Sequence, residues 1–203
     1  MNVEQEDEDG EPQDLDDLED AREQRLALLA RFAKGAASAR FMARLGRRLT
    51  DSEVALAERY LAALGFPDAS IAPVGDFEEA AEAAESFDLD PAAWEASEQL
   101  RVGLTSRALE TMGEELLEGA LKDVMGYIAP AVQDAARDAA YGFDIEDEAL
   151  VNLAAGAALR ACHNAALVLL AGDDEDHALA LEYALFENGR WPVALTGQTF
   201  HLF

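Results

Sequence analysis

The chain has 203 residues and a formal net charge of −27 at pH 7, from 42 acidic and 15 basic side chains. This excess of acids excludes nucleic acid as an expected partner, because phosphate backbones are bound by lysine and arginine. Half of the residues are hydrophobic and only 7% are aromatic, which favours helices over sheets. The single cysteine, Cys162, cannot form an internal disulfide, and the acidic N-terminus does not resemble a signal peptide. We therefore expect a cytoplasmic protein.

Charge is sorted along the chain. Residues 1–20 contain eleven acids and no base, residues 22–48 contain eight bases and one acid, and residues 51–203 contain thirty acids and seven bases. The first fourteen residues have few hydrophobic side chains and dense like charge, so they cannot offset the entropy of ordering. We predict a disordered acidic tail over 1–14 and a single helical domain over 15–203.

The first two predicted helices follow the tail directly. Leucines at helical spacing indicate a helix from Leu15 to Lys34 that ends at Gly35. A second helix is predicted over 36–49, with a hydrophobic stripe on one side. Its other side is a basic face that would bind an anion, a partner, the acidic tail or other acids of the same chain: Arg40, Arg44, Arg47 and Arg48.

Capping signals divide the middle of the chain. Thr50 and Glu53 form a capping box for a helix that ends at Gly65, and Asp90 with Pro91 is typical of another helix start. A short acidic helix is expected over 77–87 between them. The pattern from 91 to 140 is helical, with breaks near 103–105 and at Pro130. One core-facing stripe is predicted there, formed by Leu109, Met112, Leu116, Ala120, Val124 and Ile128.

The C-terminal third predicts two more helices and a hairpin. Asp144 caps a helix that runs to Ala171, and the acids 173–176 precede a helix to Phe186. A strand over 177–187 is the alternative. Apolar runs around Thr196-Gly197-Gln198 predict a small β-hairpin near 192–203. The fold class is therefore mainly all-α, a bundle of about seven or eight helices with a small C-terminal β-hairpin.

The most apolar stretch, 149–172, has the length of a membrane span. Arg160 near its centre would be costly in lipid, about 2.5–3.5 kcal/mol on insertion scales. The stretch is therefore interpreted as a buried core helix, and no membrane association is expected.

The same helix carries the best candidate site, while no catalytic, cofactor or metal motif is recognisable. Cys162 and His163 are adjacent, so they point about 100° apart and do not form a catalytic pair. A polar stripe with Gly156 beside it could line an anion pocket, with Arg160 as the charge and His163 as a donor. The alternative is that this face reaches the surface or that Arg160 bonds a buried acid. The stripe consists of Asn152, Arg160, His163 and Asn164.

Three functions remain open. A non-enzymatic interaction protein of inhibitor, immunity or adaptor type would use the acidic surface to capture a basic protein. A small-molecule or enzymatic role would use the polar stripe. The acidity could instead reflect adaptation to high salt, where ions screen the repulsion between like charges. We expect binding rather than catalysis, and a homodimer stays open.

Overall fold

Helices and a small sheet form the structure, a computed structural model that describes residues 11–86 and 89–203, with side chains from Asp17 onward. The described residues form seven helices and three strands. In chain order these are α1 (Glu11–Ala36), α2 (Asp51–Leu64), β1 (Ser70–Pro73), α3 (Phe77–Ala84), α4 (Pro91–Met112), α5 (Glu114–Gly142), α6 (Glu148–Ala171), α7 (Ala178–Glu187), β2 (Pro192–Thr196) and β3 (Thr199–Leu202).

Helix α6 is the centre of the bundle, because it packs against α1, α4, α5 and α7. Its alanines, including Ala154, Ala158 and Ala161, are buried and let the neighbouring helices approach closely. Among the described residues, α6 is the one helix that is long and apolar enough to cross a membrane. Most of its apolar stretch is buried inside the protein, however. The prediction of a buried core helix is therefore confirmed.

The sheet has the order β1-β3-β2. Strands β2 and β3 form the predicted hairpin, with Gly197 in its turn at φ +56°. Strand β1 was not predicted; it pairs with β3 in parallel, from Ser70 opposite Thr199 to Pro73 opposite Leu202. The sheet thus connects the loop after α2 to the end of the chain.

Capping signals marked most helix ends correctly. The capping box of Thr50 and Glu53 starts α2, and Gly65 ends it at φ +101°. Asp90 caps α4 with Pro91 in the first turn, and the residues 178–187 are helix rather than strand. Helix α1 already begins at Glu11, and residues 1–10 of the predicted tail lie outside the described residues.

The predicted helix over 36–49 is wrong. Beyond Ala36 the chain makes a series of turns up to Thr50, with positive φ at Met42 (60°) and Gly46 (65°). A Cβ on Gly46 would lie 2.9 Å from the Phe143 ring and 3.0 Å from a carbonyl oxygen, so this turn requires glycine at position 46. The amphipathic pattern was nevertheless correct, because Phe41 and Met42 are buried in the core.

Three boundaries between 91 and 148 also differ from the prediction. Helices α4 and α5 continue through 103–105 and Pro130, and the break lies at Gly113, where φ is +74°. Helix α6 is capped by Asp147 rather than Asp144. Because of the break, the predicted core stripe divides: Met112, Val124 and Ile128 are buried, whereas Leu109 and Leu116 are partly exposed.

Two arginines of α1 cap other helices. The Arg22 Nε donates to the carbonyl of Thr111 at the end of α4 (2.6 Å), and the Arg25 Nη1 donates to the carbonyl of Leu170 at the end of α6 (2.7 Å). Cationic side chains at helix C-termini satisfy free carbonyls and favour the negative end of the helix dipole. Part of the basic block over 22–48 is therefore used to hold the bundle together.

Candidate functional site

A cavity of about 500 Å³ lies between α2, the first turns of α4, α6, α7 and strand β2. Its walls are mostly apolar, including Leu61, Leu153 and Phe200. The polar and charged side chains of the lining are Asp90, Ser97, Glu98, Asn152, Arg160, Asn164 and Glu182, with the Tyr60 hydroxyl. A concave, largely apolar site with a small number of polar groups is typical of small-molecule binding. The size is also in the range of such sites, about 300–1,000 Å³.

Three of the four residues of the predicted stripe line this cavity: Asn152, Arg160 and Asn164. Gly156 lines it as well, and a Cβ at that position would meet no atom within 4 Å. His163 does not line the cavity. It is half-buried, and burial lowers its pKa, with a smaller lowering effect from Arg101 of α4.

Glu182 of α7 is the charged group at the floor, and it is only 6% exposed. Its Oε1 lies 3.8 Å from the Arg160 Nη2, whose side chain is 66% exposed at the mouth. Burial raises the pKa of Glu182, and the Arg160 charge and the Asn164 amide offset part of the rise. The cavity therefore has an acid at its floor and a base at its opening.

Asn164 carries an unsatisfied hydrogen-bonding group. Its side chain is 3% exposed, and its Oδ1 has no hydrogen-bond partner. The amide lies close enough to Glu182 and His163 to affect their pKa values, yet neither occupies Oδ1. Leaving such an acceptor buried and unpaired costs about 1–3 kcal/mol. Asn164 lines the cavity, but its Oδ1 is itself covered by protein atoms, so a ligand can reach this acceptor only if the side chain turns.

Aromatic side chains form the outer part of the site. Trp94 of α4 is 67% exposed at the mouth, and Tyr60 of α2 packs its ring against Phe200 at 5.5 Å. Burial raises the pKa of Tyr60, and Glu182 raises it further, so its hydroxyl stays protonated. A ligand entering the cavity would pass Trp94 and lie against these rings.

The basic residues of 36–49 do not form one helical face. Arg44 pairs its Nε with the Glu53 Oε1 at 3.2 Å. Arg40, Arg47 and Arg48 are exposed, and no ion pair of theirs occurs within the described part of the chain. About 38 Å of helix separates the two ends of α1, so Glu11 is far from the start of this segment.

No cluster of three His, Cys, Asp or Glu residues with the geometry of a metal site occurs among residues 11–86 and 89–203. The acids after α6 have other partners: Asp173 pairs with Arg107, and Asp176 with Arg59. Burial raises the pKa of Cys162 to about 12, so this thiol is not an activated nucleophile.

Comparison with known proteins gives no relative. No protein-family model matches the sequence. No curated protein and no solved structure matches it either.

Three residues of the site were not predicted from the sequence: Glu182, Tyr60 and Trp94. Each lies on a different helix from the predicted stripe, and the tertiary fold alone brings them to α6. Glu182 did carry one signal: it is the single acid within the apolar run from Ala178 to Phe186. An acid inside such a run is either exposed or buried with a partner.

Proposed function

We propose that this protein binds a small molecule in the cavity between α4, α6 and α7. The observation that carries the proposal is a cavity whose lining includes the buried Glu182 beside Arg160, together with Asn164, whose buried Oδ1 has no partner in the protein. A merely structural polar pair would have its hydrogen bonds satisfied within the protein. No activated nucleophile accompanies these groups, so we propose binding rather than catalysis.

A larger side chain in the cavity wall tests the proposal. Gly156 lines the cavity and a side chain there meets open space, so Gly156→Leu should narrow the site without a clash. The variant should also be more stable, because glycine weakens a helix interior by about 0.5–1 kcal/mol. Gly126→Leu is the matched control, since Gly126 is an exposed interior glycine of α5 that also has no atom near its Cβ position.

Binding is measured by tryptophan fluorescence, because both tryptophans, Trp94 and Trp191, line the cavity. The probes are phenylalanine, 2-phenylethylamine and 3-phenylpropionate, which share one aromatic body and differ in head group. We expect saturable binding of at least one probe to the wild type and to Gly126→Leu, and at least a tenfold weaker affinity for Gly156→Leu. Absence of saturable binding by all three, or binding that Gly156→Leu leaves unchanged, would refute the proposal.

A second proposal is capture of a basic protein by the acidic surface, and the outer face of α5 favours it. Tyr127 and Tyr141 are 58% and 85% exposed. They lie within about 60° of the exposed acids Asp123, Asp134 and Asp138 on the helix. Exposed tyrosines are frequent binding hot spots, and acids around them attract a positively charged partner.

This second proposal predicts a partner whose capture depends on the two tyrosines. In affinity capture from native cell extract, the Tyr127→Ala/Tyr141→Ala double variant should retain at least tenfold less of the partner than the wild type. Val102→Ala, at an exposed position of α4, is the control. Capture should also weaken steeply with added salt. Equal recovery with the double variant would exclude this face.

Salt adaptation is a third proposal, and it concerns the charge rather than the ligand. It would explain the net charge of −27 without any partner. Urea denaturation at low and at molar potassium chloride distinguishes it, because screening of surface repulsion should raise the free energy of unfolding markedly. Full stability in dilute buffer, with no gain from salt, would count against it.

A further inference from the structure

The charged groups of the cavity define the class of ligand, an inference that rests on the proposed function. One base, Arg160, and three acids line the cavity. Of the acids, Asp90 caps α4 and Glu98 pairs with an arginine of its own helix. The third acid, Glu182, is buried, and its nearest side-chain atom lies 3.8 Å from Arg160. Beside the acid stands the unpartnered acceptor of Asn164. The polar end is thus divided into an accepting floor and a donating rim.

The floor suits a group with several N–H donors. Both oxygens of the Glu182 carboxylate accept, and a primary ammonium supplies three donors. Burial raises the pKa of Glu182, and a cation bound beside it would favour the ionised carboxylate again. A hydroxyl has only one donor and would leave one of the two acceptors unpaired.

The rim suits a carboxylate. The Arg160 guanidinium presents donors in a planar fork that matches a carboxylate, and its side chain is mostly exposed at the mouth. A ligand with an ammonium alone would be repelled by Arg160, and one with a carboxylate alone would be repelled by Glu182. A ligand that carries both groups next to each other meets an opposite charge at each.

We propose that the cavity binds an α-amino acid with a large apolar side chain. Its ammonium group donates to the oxygens of the Glu182 carboxylate, and its carboxylate accepts from Arg160. The apolar side chain lies against the aromatic and aliphatic wall formed by Leu61, Trp94 and Phe200. In this arrangement Arg160 and Glu182 each face an opposite charge of the ligand, and these two side chains and the ligand are together neutral.

The test compares phenylalanine with two probes that each lack one of its two charged groups. 2-Phenylethylamine is phenylalanine without the carboxylate, and 3-phenylpropionate is phenylalanine without the ammonium. We expect phenylalanine to bind with a dissociation constant on the order of 0.1 mM. Each truncated probe should bind at least tenfold more weakly, because a hydrogen bond to a charged group is lost and the opposing charge is left unpaired.

Two variants test which side chain of the protein binds which charged group of the ligand. In Arg160→Gln the carboxylate should no longer matter, so phenylalanine and 2-phenylethylamine should bind about equally. In Glu182→Gln the ammonium should no longer matter, so phenylalanine and 3-phenylpropionate should bind about equally. Glu182→Gln preserves the side-chain shape, and Arg160→Gln shortens a mostly exposed side chain. Circular dichroism verifies that each variant is folded before titration.

Other outcomes separate this inference from the proposed function. If a truncated probe binds as tightly as phenylalanine and Gly156→Leu abolishes that binding, the cavity is a binding site but the amino-acid class is wrong. If the variants do not change the order of the three probes, Arg160 and Glu182 do not recognise the two head groups, and the inference is also wrong. If no probe binds, both proposals fail together.

Discussion

Replacing Arg190 with alanine should destabilise the protein by about 3–5 kcal/mol, the effect expected when one partner of a buried ion pair is removed. Its guanidinium is fully buried and donates to both carboxylate oxygens of Glu53, at 2.9 and 3.1 Å. It also donates to the backbone carbonyls of Arg44, Arg47 and Arg48, at 2.6, 2.8 and 3.0 Å. One side chain therefore satisfies a carboxylate and three backbone carbonyls of the turn segment 37–50. The midpoint of urea denaturation measures the loss.

An exposed arginine provides the control for this prediction. Arg59 pairs with Asp176 on the surface, where both side chains are well exposed. Such pairs contribute about 0–1 kcal/mol, so Arg59→Ala should be nearly neutral. Arg190→Lys should also be strongly destabilising, because an ammonium cannot reproduce the planar fork. A loss below about 1 kcal/mol in Arg190→Ala would show that this contact does not hold the segment.

Glu53 should make part of the stability sensitive to acid. Burial by itself would raise its pKa, but the hydrogen bonds from Arg190 and Thr50 outweigh that effect and lower the pKa from 4.5 to about 2. A depressed pKa means that the contribution is complete above pH 4.5 and is lost as the pH falls through 2. The contribution is roughly 3 kcal/mol at neutral pH.

The measurement compares the wild type with Glu53→Gln by urea denaturation between pH 7 and pH 2. The difference in free energy of unfolding should be largest at neutral pH and should shrink towards pH 2. Glu182→Gln is the contrasting variant, because burial raises the pKa of Glu182. Its glutamine should be neutral or stabilising at neutral pH, and the gain should disappear in acid. Parallel curves for the wild type and Glu53→Gln would contradict the assignment.

Local signals in the sequence were enough to find most helices. The capping box at Thr50, the Asp90-Pro91 start and the glycine at 65 act within a few residues, so a sequence reveals them without the fold. The turn segment 37–50 could not be predicted in that way. Its conformation depends on Arg190, whose partners lie more than a hundred residues earlier in the chain.

Strand β1 shows the same limit, since Ser70 and its partner Thr199 are 129 positions apart. The candidate site was likewise only partly predictable from the sequence. Helical periodicity aligns Asn152, Arg160 and Asn164 on one side of α6, so the stripe was visible in the sequence. Glu182 completes the site from α7, and in a chain with 42 acids no sequence pattern distinguishes the acid that faces a cavity.

The Asn164 side-chain amide is the most direct reporter of the central claim that the cavity binds a ligand at its floor. Its two N–H signals can be followed by nuclear magnetic resonance in nitrogen-15-labelled protein during titration with phenylalanine. We expect these signals to shift saturably in the wild type and in Gly126→Leu, and not to shift in Gly156→Leu. Ligand binding in the cavity would be contradicted if the signals remain unchanged in the wild type at millimolar phenylalanine, or if they shift equally in Gly156→Leu.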